Sequence, residues 1–215
     1  MKYTNHVFLI TITLLLNLSY SFADSPLTST EFFHSYLDIP MVKQALDKKG
    51  KLSNELIEFI ASNDTPLDVK LAVINANGWK ISGTQNAKAY MQFIVKQKKY
   101  KSGFGSAYMN FKNMANSEEL ICYAYLSALD NYFEVSDAFR IAKISLKKAP
   151  FSYAINMITA LIKAQVLTSI DENCQAANIF SAIKTNPGII IDMRKASQAL
   201  MHEYIDDISA DCDLN

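Results

Sequence analysis

The residues best equipped for chemistry lie near the end of the chain, in His202-Glu203 and Asp206-Asp207. On a helix, a four-residue step puts His202 and Asp206 on one face and Glu203 and Asp207 on the face beside it. An imidazole and carboxylates so spaced can hold a divalent metal or exchange protons with a substrate. A complete site needs further ligands, and after the apolar N-terminal segment the chain has only one other histidine, His34. No second histidine motif accompanies it. The plainer reading is a solvated acidic helix end, with no metal and no cofactor. These acids oppose the dipole of a helix C-terminus, which leaves a partner or the lysine run near Tyr100 to answer them.

The three cysteines offer different chemistry. Cys122 falls on an apolar helical stripe, where a thiol behaves as a small apolar side chain; acting as a nucleophile, it would need a base close by. Cys174, in the first turn after Asp171, and Cys212, just past the last helix, are expected to pair in an oxidising compartment, with Cys122–Cys174 as the competing bridge. An unstrained bridge across a loop of that length contributes roughly 4 kcal/mol.

A third group is electrostatic. Lys96, Lys98, Lys99 and Lys101 surround Tyr100, while Glu203, Asp206, Asp207, Asp211 and Asp213 make the chain's end acidic. Opposite patches on a neutral chain can steer a protein partner, and they can equally attract each other. Residues 24–115 carry 12 lysines against 8 acids, or +4, and residues 116–215 carry 8 basic residues against 13 acids, or −5. With no strong basic excess, nucleic acid is not an expected partner. Gly103-Phe104-Gly105 follows the lysine run, but no strand pattern precedes it and no phosphate-binding lysine follows. Residues 101–105 are therefore expected to be a hinge.

Helices must position all of these groups. Ile121, Cys122, Tyr125, Leu126 and Leu129 recur at three- and four-residue steps after Ser117, which is placed to cap them. Asn131 or Ser136 can cap the helix that follows, and Lys147, Lys148 and Pro150 end it. Before this central hairpin, Thr65-Pro66-Leu67-Asp68 opens a helix that Asn77-Gly78 closes. Trp79, the only tryptophan, is expected to fold back on that helix as a hydrophobic clamp. Residues 66–98 read as a second hairpin. Shorter helices carry Phe32 to Leu37, Met41 to Leu46 and Leu56 to Ala61; after Pro150 come two longer ones and a capping helix from Ile189 or Ile191 to about Ile208. Ile189-Ile190-Ile191 is the one stretch suited to extended backbone. Helix ends at Pro150 and Pro187 lie 37 residues apart, a spacing of helix-pair repeats.

The expected fold is all-α: consecutive helical hairpins in a short solenoid-like array or an irregular bundle, closed by a C-terminal capping helix. At the other end, Lys2, the apolar run Val7 to Leu16 and Ser21-Phe22-Ala23 read as an export signal over residues 1–23, cleaved near Ala23. Residues 24–215 would form a single domain with no membrane span, in the periplasm or secreted. The function this implies is non-catalytic binding of another protein, as an adaptor, inhibitor or immunity-type protein. Lys96, Lys98, Lys99, Tyr100 and Lys101 are the candidate contacts. The alternative is a periplasmic hydrolase or metal-dependent enzyme whose site assembles from distant acids.

Overall fold

The helix starts show how local chemistry sets the architecture. The computed structural model describes residues 25–100, 106–168 and 173–210, without the side chains of 168, 173 and 207–210. The expected export signal, the expected hinge at 101–105 with Lys101, Asp171, Cys212 and the Asp207 side chain lie outside the described residues. Among those described, the chain is all-helical with no strand. In order these are α1 (Pro26–Ser29), a 3-10 turn (Phe32–Tyr36), α2 (Pro40–Asp47), α3 (Asn54–Ala61), α4 (Leu67–Asn77) and α5 (Asn86–Gln97). There follow α6 (Ala107–Met114), α7 (Ser117–Asp130), α8 (Ser136–Lys148), α9 (Tyr153–Thr168), α10 (Asn173–Thr185) and α11 (Lys195–Ala210).

Several caps differ from expectation. Asn116, not Ser117, caps α7: its side-chain oxygen accepts the Glu119 amide at 2.9 Å, and Glu119 Oε2 accepts the Asn116 amide at 2.9 Å. This reciprocal box needs an acid three residues after the cap, and only Asn116 meets that spacing. Thr65 does not cap α4, whose boundary residue is Pro66. Neither Asn131 nor Ser136 caps α8; the Glu134 carboxylate takes the Ser136 amide at 3.2 Å instead. Ser53 does cap α3, and Gly78, at φ 70°, closes α4.

Two helices are buried on nearly every side. In α4, all residues from Val69 to Asn77 are buried, and in α7 the buried set runs from Glu119 to Leu129 with only Tyr123 and Ser127 left out. The reason is packing: α7 touches α4, α5, α8 and α9, while α4 touches α2, α3, α7 and the 3-10 turn. Consecutive helices from α7 to α11 each pack on the next. Residues 66–98 are not the expected hairpin, because α4 and α5 make little contact and each rests on α7. The central helix thus serves along its length as the wall for both, with Lys98 on Glu119 at its start and Ala87 on Asp130 at its end.

The N-terminal segment closes the structure. α1 packs on α9, where the Ser25 hydroxyl donates to Gln165, and the 3-10 turn packs on α11. There Arg194 holds both Asp38 oxygens at 2.6 and 3.1 Å, donates to the Ser35 carbonyl at 2.9 Å, and lies 4.5 Å from the Tyr36 ring centre. Tyr36 passes the link to α4 by donating to Asp68 at 2.8 Å. An open repeat array, in which each unit meets only its neighbours, would lack these long-range contacts.

The last helix starts later than expected, at Lys195, because Ile189 to Ile191 are extended. Ile190 donates to the Phe151 carbonyl at 2.7 Å and accepts from the Tyr153 amide at 3.0 Å, an isolated parallel bridge. Asp192 follows and takes the Ala154 amide at 2.8 Å, capping α9 from 38 residues away.

Candidate functional site

The lysine run divides into two roles. Lys98 lies 2.5 Å from Glu119 Oε1, and the Tyr100 hydroxyl donates to Glu119 Oε2 at 3.0 Å. Burial, then this carboxylate, pushes the Tyr100 phenol up to about 12. Lys98 and Tyr100 therefore anchor α5 to the start of α7, leaving Lys96 and Lys99 exposed. Among the described residues, the acids at the other end do not meet this run. Asp206 lies 3.8 Å from Lys184, Glu203 is exposed, and His202 bonds the Tyr153 hydroxyl at 2.9 Å. Partial burial, helped by the Lys184 charge, holds the His202 imidazole below its usual range. Among the described residues, no three His, Cys, Asp or Glu side chains gather closely enough to share a metal ion.

Cys122 is free and fully buried, its thiol pushed up to about 12 by burial. It is no nucleophile near neutral pH. Its free state also removes the competing Cys122–Cys174 bridge. Nearby, Lys70 is 5% exposed and holds Glu118 at 2.7 Å.

A different set of residues converges where α4 and α7 end side by side. Gly78 turns the chain out of α4, and Trp79 stacks on Tyr132, which follows α7; the ring centres are 4.3 Å apart and the planes 14° apart. Phe133 meets both rings edge-on, at 6.4 Å from Trp79 and 5.2 Å from Tyr132. Phe133 and Ile81 are each 72% exposed. Offset and edge-on pairs are the favoured aromatic geometries, so the three rings form one apolar ridge that faces water.

The ridge is held from two sides. Asp130, the last residue of α7, accepts the Ala87 amide at 2.8 Å and the Thr84 hydroxyl, which fixes the loop carrying Ile81. Gly50, at φ 89°, donates to the Asn77 carbonyl at 2.5 Å; a Cβ there would lie 2.7 Å from Lys80 Cγ. Only glycine lets the 48–51 loop come this close. That approach sets Lys48, Lys49 and Lys51 beside Lys80, all four exposed and none paired with an acid among the described residues. Cations also suit the C-terminal end of α4.

Two clefts open at this corner and share Lys80. The first, about 560 Å³, has Leu27, Phe33 and Leu129 in its wall, with Trp79, Lys49 and Leu46. The second, about 420 Å³, is lined by Ile81, Asp130, Tyr132 and Phe133 among others. Trp79 is thus a platform as well as a clamp. Sequence reasoning missed Tyr132 and Phe133, although two adjacent aromatics in a hairpin turn cannot both face a helical core.

No family model matches the chain, and neither a curated protein nor a solved structure matches it.

Proposed function

We propose that this is an exported, non-catalytic helical protein that binds another protein, and that it does so through the Trp79–Tyr132–Phe133 corner. The observation that carries the reading is the exposure of Phe133 and Ile81, each 72%, beside a stacked Trp79–Tyr132 pair and two clefts. Tyrosine and tryptophan anchors with adjacent pockets are what energetic hot spots of protein interfaces use. Aromatic side chains, with two rotatable bonds each, lose little freedom on binding. The apolar N-terminal segment supports export, and a Cys174–Cys212 bridge would then fasten the tail. Lys96 and Lys99 remain secondary contacts, able to speed encounter rather than hold the complex.

A photo-crosslinking residue at position 133, and separately at 96, tests the assignment in the cells that make the protein. A discrete crosslinked protein at 133 is the expected result, and it should disappear when Trp79→Ala is added. Crosslinking at 96 alone would move the interface to the lysine run.

A further inference from the structure

Resting on that reading, we infer the chemistry of the partner segment: an acidic peptide whose apolar side chain seats in the cleft beside Trp79, its flanking carboxylates on Lys49 and Lys80. The cleft's size and wall favour an apolar anchor. At about 560 Å³ it is in the range of ligand sites, and Leu46, in its wall, is 43% exposed and unpacked on one side. Its polar lining is uneven. Asn75 is fully used, bonding the Thr30 carbonyl, the Tyr125 hydroxyl and the Phe33 amide. Asn77 is 2% exposed and also lines the cleft, yet neither its carboxamide oxygen nor its nitrogen has a partner. A buried amide with no protein partner is bonded by an ordered water or by a ligand group that replaces it.

Charge selects the flanks. Lys48, Lys49, Lys51 and Lys80 are exposed and unpaired, four cations against two exposed acids, Glu31 and Asp47, while the third acid of this corner, Asp130, caps α5. A cationic rim around an apolar cleft complements carboxylates around an apolar side chain. Extent distinguishes a peptide from a small molecule. The second cleft adjoins at Lys80, so the surface continues beyond one anchor in the manner of an extended segment with spaced side chains.

Trp79 is the only tryptophan, so its emission reports on this cleft alone. The probe is a synthetic, tryptophan-free peptide with one phenylalanine flanked by glutamates, titrated into the chain from residue 24 onward. The expected result is a saturable change in emission. Replacing the probe's phenylalanine by alanine should weaken it by roughly tenfold or more, as losing an anchor does. The K49Q/K80Q variant should weaken it by about as much at low salt, the difference closing at high salt. Both lysines are exposed, so the variant keeps its fold. No saturable change, or equal binding of a lysine-flanked probe, overturns the inference. Octanoate saturating the signal as tightly as the peptide also overturns it and assigns the cleft to small amphiphiles. A crosslink at 133 that survives such failures leaves the protein-binding corner standing and removes only the acidic-peptide chemistry.

Discussion

Asp130 shows how one side chain can serve two elements. It ends α7 and caps α5 across 43 residues. Burial holds its carboxyl above the usual carboxylate range, and the bonds from Thr84 and Ala87 draw it part of the way back. Folding therefore raises this acid, so its ionised form weighs against the native state at neutral pH, and protonation adds stability as pH falls through the raised value. Urea titrations of wild type and Asp130→Asn across the acid range should show wild type gaining on the variant as pH falls; a constant difference would refute the shift. Asp130→Ala loses the cap altogether and should cost about 1–2 kcal/mol at neutral pH. Cys122 gives a second residue-scale test. With its thiol pushed up to about 12, it should resist alkylation in the native protein and react only on unfolding. If Cys174 and Cys212 are bridged, mass spectrometry of unreduced, denatured protein should find one alkylated cysteine, and all three of the chain's cysteines after reduction.

At the level of elements, α4 and α7 are joined by an ion pair at their buried faces. Lys70 is nearly enclosed, while the Glu118 side chain keeps 43% of its surface in water. Removing the carboxylate strands a buried ammonium, so Glu118→Gln should cost about 1–2 kcal/mol, less than a fully buried pair because water screens the acid. Lys70→Met should restore most of that loss in the double variant, since a Met of similar reach suits the surrounding apolar wall. Equal losses in the single and double variants would show that the pair is unimportant. Helix class and most helix positions were legible because apolar residues recur at three- and four-residue steps, and α7's stripe is indeed buried. Caps were less legible. Ser117 and Asn116 are both good caps, and only the reciprocal bond to Glu119 decides between them. Pairing of α4 with α7 instead of α5 was not legible at all, because α4 has apolar residues on every side, with Lys70, Asn75 and Asn77 among them, and so shows no single core-facing stripe. For the same reason the corner at Trp79 could not be assembled from sequence: its parts come from residues 48–51, 79–81 and 131–133, and only tertiary packing unites them.

On the scale of the whole molecule, Arg194 is the fastening between the chain's two ends. Its fork grips Asp38 and the Ser35 carbonyl while its plane lies over Tyr36. A lysine cannot reproduce two parallel bonds and a stacked plane. Arg194→Lys should therefore behave almost like Arg194→Ala in hydrogen exchange, with faster exchange at residues 32–36 and at the start of α11 and little change in α7. Uniform protection across both variants would show that apolar packing alone holds the ends together. The same closure governs the order in which the chain can fold. Ser25 waits for Gln165, 140 residues later, and Ser35 for Arg194, 159 residues later. Contacts of such separation form late, because the entropy of closing a long loop precedes their reward. During synthesis, Leu27, Phe32 and Phe33 emerge early; α4 gives the 3-10 turn its first wall, and the second arrives only with the final helix. Until then the face that meets α9 and α11 stays uncovered, and a chain cut short before Arg194 would leave part of it so.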